Sequence, residues 1–417
     1  MRRAALLAAL LALRVAPAFA QGVPADAAAP PLAPAPTVIL LSLDGVRYDY
    51  LDRDELPALA RVAREGLRAD VLEPVFPSST FPNHVSIATC TPADRHGIVA
   101  NAFQDRVRGG FDYSNDASWL EAEPLWVTAE RQGARAATYF WVGSETPWRG
   151  VEATHRKAPF DDDVSEAAKV DQILAWLDLP PAERPRLVLS WWHGADDAGH
   201  AHGPDAEETR AELRAQDAEL ARLLAGLDAR GAWPHTTLLL VSDHGMVEVS
   251  RTVDAMAALG EVGIRGRLVN GGAFAHVFLE DPVRAAEAAA RLDAQDGLDA
   301  WVAAEIPERL RYRHPTRTGD VFALAAPPVR IGGSASSLRD LQFALGRLAG
   351  RRLGLHGYDA AAVPEMGGIF LALGRGVPAG ARPGRVRALD VAPTAARLLG
   401  IAPPADCEGT PIPAVAP

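Results

Sequence analysis

The sequence predicts an α/β fold, a three-layer α/β/α sandwich around a mostly parallel sheet, with a small inserted lobe. Continuous apolar runs recur along the chain and are typical of strands buried on both faces of a parallel sheet. Helical patterns rich in Ala, Leu and Arg lie between these runs, and such alternation is typical of a layered α/β domain. Acidic and histidine residues follow several of the runs, at the strand ends where open parallel sheets bind their ligands.

The strands and helices of this domain can be placed from the pattern. Five apolar runs, β-branched or aromatic in places, predict strands at residues 37–43, 134–141, 187–192, 236–242 and 368–373. The patterns between them predict helices at residues 56–65, 165–177, 206–227 and 390–399. About 370 ordered residues are enough for one large domain. We expect that domain at residues 37–405, followed by a C-terminal tail at 406–417.

A lobe inserted into this domain is predicted at about residues 251–355. A helical pattern at 281–292 and strand patterns at 273–279 and 320–324 are broken there by glycines. The segment separates His244 from His356, two candidate metal ligands. We therefore expect the lobe to lie beside the functional site.

The N-terminus has the pattern of a secretory signal peptide at residues 1–20. A charged start is followed by an apolar run at 4–15 and by Ala18-Phe19-Ala20, a small-x-small cleavage signal. The run is too short to span a bilayer and lacks the polar face of an amphipathic helix. We expect cleavage after Ala20, a Pro/Ala linker at 21–36, and a secreted or periplasmic protein without a membrane span.

The charge of the chain argues against a polynucleotide substrate. The formal net charge is −11, and loss of Arg2, Arg3 and Arg14 with the signal leaves 39 basic and 53 acidic residues, a net charge of −14. An acidic protein gains no general electrostatic attraction for a nucleic-acid backbone. A small anion, such as a phosphodiester or a nucleotide, can still bind where metal charge is local.

The two cysteines, Cys90 and Cys407, allow one disulfide in an oxidising compartment. Two distant free thiols are the alternative. Two cysteines so far apart exclude a cysteine-based zinc site, so histidines and carboxylates would have to hold any metal.

Polar residues follow three of the predicted strands. Asp44 follows the run at 37–43, Asp196 follows the run at 187–192, and Asp243 follows the run at 236–242. Each aspartate alone is compatible with capping the turn that comes next. Together at one sheet edge, however, three carboxylates would repel one another unless cations lay among them.

Histidines accompany these carboxylates at spacings that suit a metal. His200 lies one helical turn after Asp196, and His244 directly follows Asp243. His356, in Leu-His-Gly-Tyr-Asp, could complete a site. Nitrogen and oxygen ligands without cysteine favour zinc, because magnesium and calcium prefer oxygen alone.

A candidate nucleophile, Thr80, lies in the segment Pro-Ser-Ser-Thr-Phe-Pro-Asn-His at 77–84. Pro82 is typical of the first turn of a helix, so Thr80 lies just ahead of free backbone N–H groups that favour an anion. Thr80 could be a plain helix cap. Beside a metal cluster, it could instead be a nucleophile that zinc ionises.

Six motifs in order resemble those of the nucleotide pyrophosphatase/phosphodiesterase family of the alkaline phosphatase superfamily. They are Leu-Ser-Leu-Asp-Gly-Val-Arg at 41–47, Phe-Pro-Ser-Ser-Thr-Phe-Pro-Asn-His at 76–84, His-Gly-Ile-Val-Ala-Asn at 96–101, Asp-x-x-Gly-His-x-x-Gly-Pro at 196–204, Ser-Asp-His-Gly-Met at 242–246 and His-Gly-Tyr-Asp at 356–359. The resemblance covers about residues 36–404.

The resemblance implies two zinc ions and assigns their ligands. One zinc would take Asp196, His200 and His356; the other would take Asp44, Thr80, Asp243 and His244. It also implies that Asn101 binds a phosphoryl oxygen. His202 would lie outside the metal ligands, and His84 would support the turn that carries Thr80.

Three aromatic residues, Phe81, Phe160 and Trp191, are implied to line or stack on the leaving or base group of the substrate. The family usually has tyrosine at the positions of Phe160 and Trp191, so nucleotide selectivity stays open. Both aromatic residues could also belong to the core.

The reaction implied by the resemblance is a displacement at phosphorus through a phospho-threonine intermediate on Thr80. A phosphonoacetate-hydrolase-like enzyme or a phosphomonoesterase of the same superfamily is the alternative, although no cation for the extra charge of a monoester can be assigned. A catalytically silent binding protein is a further alternative, against which all the predicted ligands and the nucleophile argue.

Overall fold

A computed structural model describes residues 35–333, 346 and 352–416 of the chain. The predicted signal peptide and the predicted linker up to residue 34 lie outside the described residues. The strands, in chain order, are β1 (Thr37–Leu43), β2 (Leu67–Arg68), β3 (Val71–Glu73), β4 (Ala102–Asp105), β5 (Gly109–Asp112), β6 (Ala136–Tyr139), β7 (His155–Lys157), β8 (Leu187–Trp192), β9 (Thr236–Val241), β10 (Val247–Val249), β11 (Arg251–Asp254), β12 (Gly266–Asn270), β13 (Phe274–Leu279), β14 (Leu298–Val302), β15 (Val321–Ala325), β16 (Val329–Gly332), β17 (Leu353–Leu355), β18 (Phe370–Gly374) and β19 (Arg385–Arg387). The α-helices are α1 (Tyr50–Arg53), α2 (Pro57–Glu65), α3 (Thr80–Thr89), α4 (Ala93–His96), α5 (Leu125–Arg131), α6 (Glu166–Leu177), α7 (Gly194–His202), α8 (Glu207–Ala229), α9 (Ala255–Gly260), α10 (Ala285–Asp293) and α11 (Val391–Leu399).

The central sheet has seven strands in the order β2-β18-β9-β1-β8-β6-β7. Strand β1 lies between β8 and β9 and is parallel to both, with Leu43 opposite Trp192 and Ser42 opposite Val241. All seven residues of β1 are buried, as predicted for a strand covered on both faces. The carboxyl ends of β1, β8 and β9 therefore meet at one edge of the sheet.

Helices cover this sheet in two groups, which gives the predicted three layers. Helix α8 contacts both α2 and α6, and α2 and α6 also contact the sheet. Helices α3, α5 and α11 form the second group, and α5 and α11 contact the sheet. The α/β class and the mostly parallel sheet are confirmed.

The run predicted as a strand at 368–373 departs from the parallel arrangement, because β18 pairs antiparallel with β9. The reason lies in the path of the chain. The Gly245 N–H donates to the Met366 carbonyl at 2.8 Å, and the Ser242 N–H donates to the Ile369 carbonyl at 3.0 Å. The chain therefore reaches β18 at the edge where β9 ends, so it must run in the opposite direction.

A second, four-stranded antiparallel sheet has the order β12-β13-β15-β14, with α10 packed on β14 and β15. Strands β13 and β15 lie where strands were predicted at 273–279 and 320–324. The helix predicted at 281–292 begins instead as a 3₁₀ turn at Pro282–Arg284, in which the Asp281 side chain accepts from the Val283 N–H. The limits of the lobe, 251 and 355, stay a prediction.

Cys90 and Cys407 form a disulfide, which decides between the two alternatives that the sequence left open. Their Cα atoms are 4.9 Å apart, although 317 positions separate them in the chain. Cys90 directly follows α3, so the bond joins the end of that helix to the C-terminal segment. In the described part of the chain, no helix has the length and apolar character needed to cross a membrane.

Candidate active site

The predicted carboxylates meet at the carboxyl edge of the central sheet. Asp44 follows β1, Asp243 follows β9, and Asp196 lies in the first turn of α7 after β8. All three side chains are buried. Gly45 makes this approach feasible: its φ is +69°, and a Cβ there would lie 3.0 Å from Asp196.

One group of three side chains gathers around Asp196. The His200 Nε2 lies 3.3 Å from one carboxylate oxygen of Asp196, and the His356 Nε2 lies 3.7 Å from the other. The two histidine Nε2 atoms are 3.1 Å apart. His356 reaches this place because β17 pairs with β10, the strand that follows His244 in the chain.

A second group surrounds the Nε2 atom of His244. Asp243 Oδ2 lies 3.1 Å from it, Thr80 Oγ1 lies 3.3 Å from it, and Asp44 Oδ1 lies 3.5 Å from it. The structure thus brings together the seven residues predicted as metal ligands. Asp44 and His244 also form a group with Asp196, with possible ligand atoms within 4.8 Å of one another, so the assignment to two sets stays a prediction. The two sets are adjacent, because the His244 and His356 rings stack with centroids 3.7 Å apart.

The hydrogen bonds of the three histidines prepare them to bind a cation. In each ring Nδ1 lies 3.0 Å from a backbone carbonyl, which can only accept, so Nδ1 carries the proton. The carbonyls belong to Gly354 for His200, Gly245 for His244 and Ser78 for His356. Each Nε2 therefore presents its lone pair to the cluster, the tautomer that metal-binding histidines use.

Burial disfavours the charged form of the Asp44, Asp196 and Asp243 carboxyls. Burial raises the pKa of the Asp44 and Asp243 carboxyls well above the ordinary value, and neighbouring carboxylates raise it further. Burial also raises the pKa of Asp196. Within the described residues, Asp44 Oδ1, Asp196 Oδ1 and Asp243 Oδ2 are buried without a hydrogen bond. Bound cations would satisfy these atoms, so the residues fit a metal centre.

His84 lies 3.4 Å from Asp243 but is not arranged as a ligand. Its Nδ1 donates to the Thr80 carbonyl at 2.9 Å, and its Nε2 accepts from the Ser42 hydroxyl at 2.9 Å. Burial lowers its pKa to about 4, so the ring is neutral near pH 7. Both ring nitrogens are therefore hydrogen-bonded, and the ring links the first turn of α3 to β1.

Thr80 is the first residue of α3 and is buried beside the cluster. The sequence predicted free backbone N–H groups after Thr80, but the Phe81 N–H is occupied. It donates to Asn101 Oδ1 at 2.9 Å. Pro82 has no N–H, and the Thr80 N–H makes no hydrogen bond among the described residues. The Phe81 bond turns Asn101 so that its Nδ2 donor lies on the side of the cavity, 3.5 Å from the Tyr113 hydroxyl.

A cavity of about 1740 Å³ opens from this cluster. Phe81, Phe160 and Trp191 line it, as predicted, and Trp191 and Phe160 stack with centroids 5.0 Å apart. Trp191 also contacts the carboxylates at the edge of the sheet, because its indole N–H donates to Asp44 Oδ2 at 2.8 Å. Only 9% of Trp191 is exposed, against 37% of Phe160, so Phe160 offers more ring surface to a ligand.

The cavity wall also contains residues that the sequence analysis missed, among them Tyr113, Phe140, Arg267 and Arg330. Tyr113 and Phe140 have φ of 45° and 62°, a left-handed conformation that costs a non-glycine residue about 1–2 kcal/mol. No sequence signal marks such positions. The two arginines are cations that the sequence reasoning did not find, since both lie in the segment predicted as a lobe.

The remaining histidine of α7 lies apart from the cluster. His202 is 36% exposed at its side chain and lies 3.9 Å from Glu208. His96 is buried and is hydrogen-bonded to the Ser86 hydroxyl at 2.9 Å.

Comparison with known proteins agrees with this geometry. The sequence profile described as type I phosphodiesterase / nucleotide pyrophosphatase matches residues 38–359, from β1 to the residues just after His356. The chain belongs to this family. It is therefore a hydrolase of the class that acts on phosphodiester and pyrophosphate bonds.

Relatives and solved structures of the family are similar over most of the chain. An uncharacterized pyrophosphatase/phosphodiesterase of Schizosaccharomyces pombe is 34% identical over 81% of this chain and 71% of its own. A bis(5'-adenosyl)-triphosphatase of Mus musculus is 29% identical over 88% of this chain and 78% of its own. The structure of murine ectonucleotide pyrophosphatase/phosphodiesterase 5 superposes with a TM-score of 0.80 at 27% identity, covering 88% of this chain and 96% of that one.

Proposed function

We propose that this chain is an extracytoplasmic two-zinc phosphodiesterase and nucleotide pyrophosphatase that cleaves small substrates with Thr80 as its nucleophile. The observation that carries the proposal is the position of the Thr80 hydroxyl. It lies 3.3 Å from the His244 Nε2, which itself lies 3.1 Å from Asp243. The candidate nucleophile is thus in direct contact with the candidate metal ligands.

The proposed ligands are the two sets predicted from the sequence. Asp196, His200 and His356 hold one zinc ion; Asp44, Thr80, Asp243 and His244 hold the other. Mixed nitrogen and oxygen donors, with all three Nε2 lone pairs directed inward, support zinc over magnesium or calcium. Bound zinc lowers the pKa of a coordinated hydroxyl and neutralises charge on phosphoryl oxygens.

The residues of the chain then have separate tasks. The Thr80 oxygen attacks phosphorus, the bond from phosphorus to the leaving oxygen breaks, and a phospho-threonine forms. Asn101 Nδ2 and the Thr80 N–H donate to the phosphoryl oxygens, on which negative charge accumulates. Water then hydrolyses the phospho-threonine, so the configuration at phosphorus is retained overall.

A solved neighbour supports the threonine and the substrate class. An inactive threonine-to-alanine variant of murine ectonucleotide pyrophosphatase/phosphodiesterase 5, in complex with AMP, superposes with a TM-score of 0.79 at 26% identity. A threonine on which activity depends and a bound nucleotide both fit the role that we propose for Thr80 and its cavity.

The location outside the cytoplasm has two supports. The first is the signal-peptide pattern at residues 1–20. The second is the Cys90–Cys407 disulfide, because such bonds persist in oxidising compartments. Sequencing the N-terminus of exported protein tests this point, and we expect it to begin at Gln21.

Two measurements test the proposal itself. Elemental analysis after purification without chelators should find about two zinc ions per chain, as a two-metal mechanism requires, and Asp243→Ala should lose both metal and activity. The enzyme should also prefer bis-p-nitrophenyl phosphate to p-nitrophenyl phosphate in kcat/KM by at least about tenfold. One metal per chain, or magnesium alone, contradicts the metal assignment. A preference for the monoester points to the phosphomonoesterase alternative.

A further inference from the structure

The active-site cavity has charges of opposite sign at two places. Among the described residues that line it, the arginines are Arg267 and Arg330, and there is no lysine. Three acidic residues that are not proposed ligands, Glu145, Asp162 and Asp197, also line it.

These acidic residues lie at the aromatic side of the cavity. Glu145 accepts from the Phe160 N–H at 3.0 Å, and Asp162 is two residues from Phe160. Asp197 lies 3.6 Å from His193, whose ring packs against Phe160 at 5.6 Å between centroids. Among the described lining residues, the side that offers a stacking surface is therefore the acidic one.

Arg267 lies on β12, away from these acidic residues. Its side chain is held by a residue of β4, the strand that begins directly after Asn101. Its Nη1 donates to Gln104 Oε1 at 2.6 Å. Gln104 lies on β4, three residues after Asn101, which is about 10 Å along a strand. Arg267 therefore lies on the part of the cavity wall to which β4 leads from Asn101, the residue proposed to hold the reacting phosphoryl oxygens.

The charge of Arg267 is available to a ligand. Its hydrogen-bond partner Gln104 is neutral, and among the described residues no carboxylate lies within ion-pair distance of it. Arg330, on β16, lines the same cavity but is 7% exposed and is buried in the wall. Fixed positive charge in a partly enclosed cavity attracts anions more strongly than charge on an open surface does.

We infer that Arg267 binds an anionic leaving group, so that the enzyme favours pyrophosphate bonds of nucleotides over diesters whose leaving group carries no phosphate. The inference rests on the function proposed above. The Thr80 oxygen bonds to the α-phosphorus, and the hydroxyl proton passes to water. The α-phosphorus–oxygen bond breaks, and its electron pair leaves on the terminal pyrophosphate. Arg267 pairs with the charge that this group carries.

Two substrates that transfer the same group test the inference. Thymidine triphosphate and p-nitrophenyl thymidine monophosphate both give thymidylyl-Thr80, but only the first releases pyrophosphate. Arg267→Gln should lower kcat/KM for thymidine triphosphate by at least about tenfold and change kcat/KM for the p-nitrophenyl ester less than about twofold. Arg267→Lys should recover part of the loss, and added salt should slow triphosphate cleavage by the wild type more than by Arg267→Gln.

Arg265 provides the matched control, because it is exposed, lies two residues from Arg267 and does not line the cavity. Arg265→Gln removes the same charge and should leave both substrates unaffected. Equal losses on both substrates in Arg267→Gln, or no loss on either, overturn the inference and leave the proposed function standing. A wild-type enzyme that cleaves neither substrate contradicts the proposed function itself.

Discussion

The strand edge and the rest of the cavity wall are built in different ways. At the strand edge, Asp44 and Asp243 follow adjacent parallel strands, are buried, and are held by backbone that the sheet fixes. The rest of the cavity wall draws Tyr113, Phe160 and Arg267 from separate segments, and none of the three is buried. Chemistry that every substrate shares can rest on the rigid edge, while substrate choice can change through the wall without disturbing it.

This contrast sets the expected effect of each substitution. Changes at the strand edge should affect metal content or turnover for all substrates alike. Changes in the wall should alter the ratio between substrates. The Arg267 experiment tests the wall, and the following four predictions test the edge, its boundary and a region distant from both.

The largest effect is expected at Thr80. Thr80→Ala should lower kcat more than about a hundredfold on every substrate, because covalent catalysis normally contributes several kcal/mol. Zinc should stay bound, since six other proposed ligands persist. Thr80→Ser should keep partial activity, because it retains a hydroxyl. Elemental analysis and steady-state kinetics on the same samples check this, and more than a hundredth of wild-type kcat in Thr80→Ala argues against a covalent intermediate.

Metal removal should destabilise the protein, and more so at higher pH. Without metal, burial holds the pKa of Asp44 and Asp243 well above the ordinary value. Between the ordinary carboxyl pKa of about 4 and the raised pKa of the folded chain, these two carboxyls bind more protons in the folded chain than in the unfolded chain, so their contribution to stability falls as the pH rises through that range. We expect a chelator to lower Tm more at about pH 8 than at about pH 5.5, with calorimetry as the readout.

A Tm decrease on chelation that is the same at both pH values, or smaller at the higher one, would contradict this account. The variant Asp243→Asn is the control. It removes one of the coupled carboxylates, so the chelated variant should lose less stability between the two pH values than the chelated wild type does.

Trp191 lies at the boundary between edge and wall, so its two roles can be separated. Trp191→Phe keeps an aromatic ring but loses the N–H that donates to Asp44. Loss of such a partner typically lowers metal affinity about 10–100-fold. Titration with a zinc-competing chelator measures the affinity, and unchanged affinity would show that the hydrogen bond does not support the site. A selective loss on p-nitrophenyl thymidine monophosphate at saturating zinc would instead assign Trp191 a stacking role.

The disulfide should have the smallest effect on activity. It lies at the end of α3, about 15 Å along the helix from Thr80, and contacts neither the edge nor the wall. The double variant Cys90→Ala/Cys407→Ala should lose about 2–5 kcal/mol of unfolding free energy, measured with urea, and keep kcat/KM within about twofold. A folded double variant that is inactive would show that the disulfide is needed to hold α3, and with it Thr80, in the active position.

What the sequence could predict follows the same division. Asp44, Asp196 and Asp243 could be found because each follows a continuous apolar run, and parallel strands bring such positions to one edge. The grouping into two metal sets came from a resemblance between motifs. The wall was harder to predict, because Tyr113 and Phe140 depend on backbone conformations that no local pattern indicates. Arg267 acquires its place through pairing with Gln104, 163 positions away in the chain. The antiparallel direction of β18 could not be predicted either, because it depends on the path of the turn that precedes the strand.

The order of strands in the central sheet also has a consequence for how the protein is made. Strand β1 pairs with β8 and β9, so Val38 lies opposite Leu187 and Thr237, and these contacts are far apart in the chain. Pairings of this kind form slowly, because the entropy cost of closing a large loop comes before the favourable contacts form. His356 comes later still, so no ribosome-bound fragment that ends before it contains the complete ligand set. The candidate metal centre can therefore be completed only after the chain through His356 has been made.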